Sequence, residues 1–386
     1  MPLHLSAADI LPDDPEALLV GRVWSDAAGG PCPVLCRRGE LHDLTALSPT
    51  LSGLLERHDL AEALAADHPH IGPLDAFLNL GDGTGRHGRL LAPCDLQAIK
   101  AAGVTFAGSM IERVIEERAK GDPARAEAIR DELAGILGGS LRGVRPGSEA
   151  AAAVKAKLQA AGMWSQYLEV GIGPDAEVFT KAPPMAAVGC GAEIGIHPKS
   201  SWNNPEPEVV LAVNSRGRIC GATLGNDVNL RDVEGRSALL LGKAKDNNAS
   251  AAIGPFFRLF DDRFTLETVK TLRVDLEIRG EDGFLLQDHS DMGQISRPPE
   301  EIVAQTLNRS HQYPDGFVLY LGTMFAPTRD RDAAGQGFTH HRGDRVTIAS
   351  DPLGKLVNTV RPCDEIAPWT FGSRALIENL ARRGVL

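Results

Sequence analysis

Short apolar segments separated by turn residues dominate the chain from about residue 167 onward, and this sequence pattern restricts the fold more than any other feature. Each segment has a length typical of a strand and is bounded by Gly, Pro, Asp or Asn. The segments predicted as strands are 177–180, 209–213, 272–278, 317–321 and 345–348. The 41 glycines and 25 prolines of the whole chain also indicate many turns. The sequence therefore predicts a strand-rich α+β enzyme.

The length of 386 residues exceeds what one hydrophobic core usually supports, so we expect a small and a large domain. Small strands joined by turns indicate an N-terminal domain over 1–93, and the catalytic domain is expected over 94–386. A helical insert is predicted within it at about 109–161, because Ser109 and Glu112 have the spacing of a capping box and helical patterns follow at 123–137 and 148–161. The chain closes with an amphipathic pattern that predicts a helix at 373–383.

Charge and composition exclude several classes of protein. A formal net charge of −11, without a run of Lys and Arg, argues against a surface that binds nucleic acid. The N-terminus has no basic region followed by an apolar core, and no apolar stretch is long enough to cross a bilayer, so we expect a cytoplasmic protein without membrane contact. The six cysteines lack paired spacing, which predicts neither a disulfide framework nor a zinc site.

Three carboxylates could hold one hard cation. Glu206 and Glu208 alternate with prolines before an apolar run, so an extended strand would place both side chains on one face. Asp227 follows another apolar stretch and could complete a set of oxygen ligands for Mg²⁺, Mn²⁺ or Ca²⁺. Asp232 competes for that place, although an ion pair or turn contact near Arg231 is its ordinary role. A solvated edge strand is the plain alternative for Glu206 and Glu208.

Two further segments carry groups that could serve in catalysis or binding. Lys243 and Lys245 lie in a region rich in small residues, and a lysine beside a metal centre can have its pKa lowered enough to act as a base. Most lysines are solvated instead. Thr323 lies in a small-residue turn after a strand, where its hydroxyl and nearby N–H groups could bind a substrate carboxylate. An ordinary turn at the end of a strand is the alternative.

The order of these segments resembles the fumarylacetoacetate hydrolase superfamily over roughly the C-terminal half of the chain. Within it, the chain is most similar to the 2-keto-3-deoxy sugar-acid dehydratases, and particularly to bacterial enzymes that act on 2-keto-3-deoxy-D-xylonate. The residues that carry the resemblance are Val104-Thr105-Phe106, Ser109, Arg113, Phe179-x-Lys181, Pro205-Glu206-Pro207-Glu208, Gly225-Asn226-Asp227-Val228, Arg231-Asp232-Val233-Glu234-Gly235, Lys245, Gly254-Pro255, Gly322-Thr323 and Gly343-Asp344-Arg345-Val346.

The resemblance implies a mixed β-sandwich roll that carries the site, and a homodimer or homotetramer. It also implies roles for individual residues. Glu206, Glu208 and Asp227 correspond to the metal ligands, with Mg²⁺ as the cofactor and Mn²⁺ as its alternative. The implied catalytic residues are Lys245, with Lys243 as its alternative, and Glu177; the implied substrate contacts are Thr323, Arg231, Ser109 and Lys181.

Two departures bear on the reaction. Phe106 replaces a tyrosine found in many relatives, and the His-x-x-Glu lid pair of the hydrolase branch is not visible, which weakens a hydrolase assignment.

The implied reaction is the dehydration of a 2-keto-3-deoxy sugar acid in oxidative pentose catabolism. A cation that binds the carboxylate and keto oxygen of the substrate makes the C3 proton more acidic. Lys245 removes this proton or holds the enolate that forms. Glu177 protonates the departing C4 hydroxyl, and rearrangement gives 2,5-dioxopentanoate. The alternatives are a C–C bond hydrolase or decarboxylase of oxo acids on the same fold, and a non-catalytic sugar-acid binding protein.

Overall fold

A computed structural model describes most of the chain. The described residues are 4–78, 87–106, 110, 114–115, 118, 128–129, 131–135, 144–325, 329–332 and 337–386.

Strands make up most of the regular structure. Their bounds are β1 Leu19–Ser25, β2 Gly30–Arg37, β3 Glu40–Asp43, β4 His70–Pro73, β5 Gly88–Leu91, β6 Ala98–Gly103, β7 Glu177–Ala182, β8 Glu193–Ile196, β9 Asn203–Asn204, β10 Pro207–Val213, β11 Ile219–Asp227, β12 Asn229–Leu230, β13 Ala251–Leu259, β14 Arg273–Arg279, β15 Leu285–Asp291, β16 Phe317–Tyr320, β17 Arg345–Ser350 and β18 Gly354–Pro362.

The helices of the described residues are mostly short. Their bounds are α1 Ala7–Ile10, α2 Leu51–Leu55, α3 Leu60–Ala65, α4 Glu149–Ala160, α5 Gln166–Ile172, α6 Arg231–Glu234, α7 Leu241–Lys245, α8 Leu266–Val269, α9 Pro299–Thr306 and α10 Ser373–Arg383, with 3₁₀ turns at Leu74–Phe77, Ala238–Leu240 and Met292–Gln294. None of these helices is long and apolar enough to cross a membrane.

An 11-stranded sheet forms the centre of the molecule, in the order β4-β3-β2-β1-β13-β11-β10-β16-β6-β7, with β5 paired to β1. All its pairings are antiparallel except that of β16 with β6. A five-stranded sheet, β15-β14-β17-β18-β8, packs against it, and β9 with β12 forms a separate small ladder. This arrangement confirms the strand-rich α+β fold.

The hydrophobic core lies on both faces of the large sheet. Along β10, Val209 and Leu211 belong to the cluster shared with the five-stranded sheet, whereas Val210 and Ala212 belong to the cluster on the opposite face. Side chains of a strand alternate between faces, so a strand buried on both sides is apolar throughout. All seven residues of β10 are buried, which makes this strand a rigid base for the carboxylates at its start.

The five strands predicted in the C-terminal half are all present, within a few residues of their expected ends. The helix predicted at 148–161 is confirmed as α4, and Ser148 accepts a hydrogen bond from the N–H of Ala151 at its start. The predicted capping box at Ser109 and much of the helical pattern at 123–137 lie outside the described residues.

The predicted boundary at residue 93 lies between segments that share a sheet. β1 pairs with β13 through Leu19 and Arg258, and through Val20 and Phe257. The division into 1–93 and 94–386 stays a prediction.

Candidate metal centre and active site

Three buried carboxylates meet where β10 begins and β11 ends. Glu208 is opposite Gly225 in the ladder, and the Asp227 N–H donates to the backbone oxygen of Glu206 at 3.1 Å. The antiparallel register therefore brings residues almost twenty positions apart to the same end of the sheet. One oxygen from each of Glu206, Glu208 and Asp227 lies within 4.8 Å of the others, and the three residues are only 5%, 2% and 1% exposed.

Such a cluster requires positive charge, because buried like charges are costly. Burial, followed by the charges of Asp227 and Glu206, raises the pKa of Glu208 well above its ordinary value. The Gly322 N–H donates to Glu208 Oε2 at 2.6 Å and favours the charged form. A set of carboxylate oxygens fits a hard divalent cation such as Mg²⁺ or Mn²⁺ better than zinc, which takes nitrogen and sulfur ligands. The residues present therefore fit the predicted metal.

Lys245 lies beside these carboxylates at the end of α7. Its Nζ donates to Glu206 Oε2 and lies 3.2 Å from Asp227 Oδ2. Burial alone would lower the pKa of Lys245, but the charges of Asp227, Glu206 and Glu234 outweigh it and raise the pKa above the ordinary lysine value. The lowering of this pKa by a bound cation stays a prediction.

The structure distinguishes between the two lysines of the predicted pair. Lys245 is buried at the carboxylates, whereas Lys243 is exposed on the same short helix and contributes a backbone oxygen to a hydrogen bond from Asn247. Only Lys245 reaches the cluster.

Lys181 lies behind Asp227 and is fully buried. Its Nζ is 2.9 Å from Asp227 Oδ1 and donates to the backbone oxygens of Val228, at 3.1 Å, and Lys245. Burial lowers the pKa of Lys181, which Asp227 partly opposes. The ammonium thus ties Asp227 to the end of α7, and the substrate contact predicted for Lys181 stays a prediction.

Asn229 and Glu234 extend the cluster and were not predicted as site residues. The Asn229 amide donates to Glu206 Oε1 at 3.1 Å and to Glu234 Oε2 at 2.6 Å. Asn229 follows Asp227 by two positions, so the alternation of a strand was the signal that could have identified it.

The predicted turn at Thr323 lies against the same cluster. Gly322 has a φ of +90°, and a Cβ at this position would lie 2.1 Å from Thr105 Oγ1. Glycine is required here by both the conformation and the space. Thr105 Oγ1 donates to the backbone oxygen of Leu321 at 2.7 Å, which anchors the start of the turn.

The serine of β15 that contacts this turn was also missed by sequence reasoning. Ser290 Oγ lies 3.2 Å from Thr323 Oγ1 and accepts from the Met324 N–H at 3.0 Å. Its strand belongs to the other sheet, and no local pattern links it to Thr323.

Glu177 begins β7 opposite Gly103. It is two residues from Phe179 and therefore shares its face of the strand. The Phe179 ring centroid is 5.8 Å from Lys245 Nζ, so this face of β7 borders the cluster.

The remaining residues considered from the sequence are Arg231, Asp232 and Ser109. The Arg231 guanidinium is 4.8 Å from the ring centroid of Trp202. Asp232 accepts from the Ser200 hydroxyl at 2.7 Å and the Ser201 N–H at 3.0 Å, in a distant loop and not in the local turn expected near Arg231. Asp227 is the third carboxylate of the cluster. Ser109 lies outside the described residues.

Two curated proteins resemble the chain in sequence. The first is the "Probable 2-keto-3-deoxyxylonate dehydratase" of Haloferax volcanii, 31% identical over 206 residues that span 53% of this chain and 67% of the relative. The second is the 2-dehydro-3-deoxy-D-arabinonate dehydratase of Saccharolobus solfataricus, 31% identical over 185 residues that span 48% of this chain and 58% of the relative. By name, both relatives are hydro-lyases.

Solved structures share the fold. A 2-keto-3-deoxy-D-arabinonate dehydratase in its apo form superposes with a TM-score of 0.62 at 20% identity, over 89% of this chain and 99% of that one. A structure of a 2-keto-3-deoxy-D-arabinonate dehydratase complexed with magnesium and 2,5-dioxopentanoate superposes with a TM-score of 0.61 at 20% identity, over 89% of this chain and 99% of that one. The model of the fumarylacetoacetate hydrolase C-terminal family matches residues 150–361, more than half of the chain, and includes all three carboxylates and Lys245. The chain therefore belongs to the fumarylacetoacetate hydrolase family.

Proposed function

We propose that this protein is a magnesium-dependent dehydratase that converts 2-keto-3-deoxy-D-xylonate to 2,5-dioxopentanoate and water. One observation carries the proposal: the three buried carboxylates within 4.8 Å of one another, with the Lys245 ammonium in contact with two of them. The dehydratase names of both curated relatives and the magnesium and 2,5-dioxopentanoate held by a structural neighbour support it.

The two sugar names attached to these relatives are compatible. D-Xylonate and D-arabinonate differ in configuration only at C2 and C3. A 2-keto-3-deoxy acid has lost both of these stereocentres, so the two D-pentonates give one compound. The substrate choice to be tested is therefore the configuration at C4 and the chain length.

Glu206, Glu208 and Asp227 would hold the magnesium ion. When bound, this ion supplies positive charge next to the keto and carboxylate oxygens and makes the C3 protons more acidic. The Gly322 N–H donates to Glu208 and the Lys181 ammonium contacts Asp227, and these contacts orient the two carboxylates.

The protein side chains then carry out the proton transfers. Lys245 removes a C3 proton as the neutral amine, or, as the ammonium that its carboxylate partners favour, it donates a hydrogen bond to the enolate oxygen. Glu177 protonates the C4 hydroxyl, the C4–O bond breaks, and water leaves as the C3–C4 double bond forms. Loss of a proton from C5 and addition of one at C3 then give the C4–C5 enol. Protonation of this enol at C4 and loss of its hydroxyl proton give the C5 aldehyde. We assign the lysine role to Lys245 rather than Lys243, because Lys243 is exposed.

The position of Glu177 suits this role. It lies one strand repeat, roughly 7 Å, from Phe179 on the face that borders Lys245. A substrate held at its C1 and C2 oxygens would extend its C4 hydroxyl along this face. Thr323 would contact the substrate carboxylate, and Arg231, Ser109 and Lys181 remain proposed substrate contacts.

A substrate screen tests the function. The purified protein with Mg²⁺ is incubated with five- and six-carbon 2-keto-3-deoxy acids of both C4 configurations, and the products are identified by mass spectrometry and by coupled oxidation of the aldehyde. We expect loss of one water from the D-pentonate. Cleavage of a C–C bond or release of CO₂ would instead indicate the hydrolase or decarboxylase. Thermal stabilisation by the acids without any product would indicate a binding protein.

A further inference from the structure

The Ser290 hydroxyl of the five-stranded sheet lies within hydrogen-bond distance of the Thr323 hydroxyl. It is 1% exposed on β15, whereas Thr323 is half-buried in the turn that Gly322 begins. A buried hydroxyl in contact with a more exposed one can determine where the proton of the exposed one points.

Each of these two hydroxyls accepts a hydrogen bond from a backbone N–H. Thr323 Oγ1 accepts from the Phe325 N–H at 3.1 Å, and Ser290 Oγ accepts from the Met324 N–H at 3.0 Å. The two hydroxyl oxygens are 3.2 Å apart, so one hydroxyl donates to the other. Each hydroxyl has a single proton to donate.

The direction of that donation decides whether Thr323 can bind an anion. If Thr323 donates to Ser290, its only proton is used within the protein. If Ser290 donates to Thr323, the Thr323 proton is available to an external acceptor. A carboxylate only accepts hydrogen bonds, so it selects the second arrangement.

We propose that Ser290 is a positioning residue for the substrate carboxylate, which donates its hydrogen bond to Thr323 and thereby directs the Thr323 proton toward the substrate. The inference rests on the proposed function, in which Thr323 contacts the carboxylate of a 2-keto acid. The Gly322 N–H donates to Glu208 at 2.6 Å, so Thr323 directly follows a residue that contacts a proposed metal ligand.

A double-mutant cycle tests this role, because Ser290 should act only through Thr323. We compare Ser290→Ala, Thr323→Val and the double variant in the full-length protein with Mg²⁺. Ser52→Ala is the matched control, since Ser52 is also buried and donates to a backbone oxygen, that of Asp315, at 2.8 Å. The readouts are KM and kcat for the dehydration, and the Kd of 2-oxopentanoate by calorimetry.

We expect Ser290→Ala to raise KM and the Kd about fivefold, because the Thr323 hydroxyl loses the neutral hydrogen bond that positions it, with kcat changed by less than about twofold. Adding it to Thr323→Val should change neither constant further. Ser52→Ala should leave both unchanged. If Ser290→Ala multiplied KM and the Kd by the same factor in the wild type and in Thr323→Val, the inference would be overturned. A fall in kcat without a rise in KM would overturn it too.

The two proposals can fail separately. A wild-type protein that dehydrates no 2-keto-3-deoxy acid would contradict the proposed function. The calorimetric cycle with 2-oxopentanoate would still report on Ser290, because this ligand carries the carboxylate and keto group but no C4 hydroxyl to lose. Absence of 2-oxopentanoate binding to an otherwise active protein would overturn the role of Ser290.

Discussion

At the scale of single residues, the site depends on compensation of buried charge. The carboxylates of Glu206, Glu208 and Asp227 lie within 4.8 Å of one another, and two lysines contact Asp227 from different sides. Each ionic group is stable only because its partners are present, so removal of one partner should affect the others.

The first prediction concerns the metal ligands. Glu206→Gln and Asp227→Asn should each lower Mg²⁺ affinity and turnover on the order of 100-fold or more, because loss of an outer-shell partner alone typically costs 10–100-fold. Calorimetric Mg²⁺ titration and initial rates measure the two effects. Glu193→Gln is the control, since Glu193 pairs with Arg361 at 2.9 Å away from the cluster. Mg²⁺-dependent turnover retained by both variants would show that the ligand assignment is wrong.

The second prediction concerns Lys181. Lys181→Met should reduce the free energy of unfolding by about 3 kcal/mol, because it removes the donor to a buried Asp227 oxygen and to the backbone oxygen of Val228. Lys100→Met is a matched control on neighbouring β6, where the buried ammonium donates to the Thr180 hydroxyl at 2.9 Å and burial lowers its pKa. Urea unfolding at neutral pH measures both variants. An equal loss of stability in the two would contradict the proposed role of Lys181 in holding Asp227.

At the scale of elements, the connection between β16 and β17 carries the Thr323 turn at one end and a buried ionic cluster at the other. The Arg331 guanidinium binds both oxygens of Asp344, at 2.6 and 2.8 Å. The His341 N–H also donates to Asp344, at 2.9 Å, and the His340 ring lies 3.2 Å from the same oxygen. This cluster fixes the return of the connection to β17.

The third prediction is the pH dependence of that cluster. Burial opposes ionisation of Asp344, but hydrogen bonds from His340 and Arg331 outweigh it and lower the pKa from 3.8 to about 2. A lowered pKa stabilises the folded protein above the unfolded value, and this contribution is lost as the pH falls from about 4 to about 2. Asp344→Asn should therefore cost roughly 2 kcal/mol at pH 7, a cost that shrinks as the pH falls through this range.

Denaturant unfolding of the wild type and of Asp344→Asn at several pH values between neutral and acid measures the effect. Asp275→Asn is the control, because Asp275 pairs with Arg273 on the exposed face of β14. A cost of Asp344→Asn that stays constant down to pH 2 would contradict the lowered pKa of Asp344.

At the scale of the whole molecule, the N-terminal segment is part of the central sheet. β1 pairs with β13, and Arg258 of β13 forms a 2.6 Å ion pair with Asp14. Gly21 of β1 has no room for a Cβ, which would lie 2.5 Å from the Phe256 ring. These contacts join the regions that the sequence divides at residue 93.

The fourth prediction follows from this shared sheet. A chain that begins at residue 94 should be insoluble or lose cooperative unfolding, because it exposes the edge of β13 and its apolar faces to solvent. Expression yield and calorimetric unfolding, compared with the full chain, measure this. A stable, cooperatively folded truncated chain would instead support an independent N-terminal domain.

The sequence was most informative where function and local pattern coincide. The strands, the three carboxylates and Lys245 were predicted from alternation, turn residues and a family resemblance. Ser290 was not, because its contact with Thr323 depends on how strands from distant parts of the chain pack together. Asn229 was missed although strand alternation from Asp227 could have identified it. The raised pKa of Lys245 was not predicted either, since it depends on two carboxylates brought to its Nζ by the fold.

The peptide of Gly322 has an evolutionary consequence. Its N–H binds the metal-ligand candidate Glu208, and the next residue is the proposed substrate contact Thr323. A substitution that moves this turn to admit a new substrate would also move Glu208. Enzymes with this arrangement should therefore diversify in substrate choice near Glu177 on β7, where changes leave the turn and Glu208 in place.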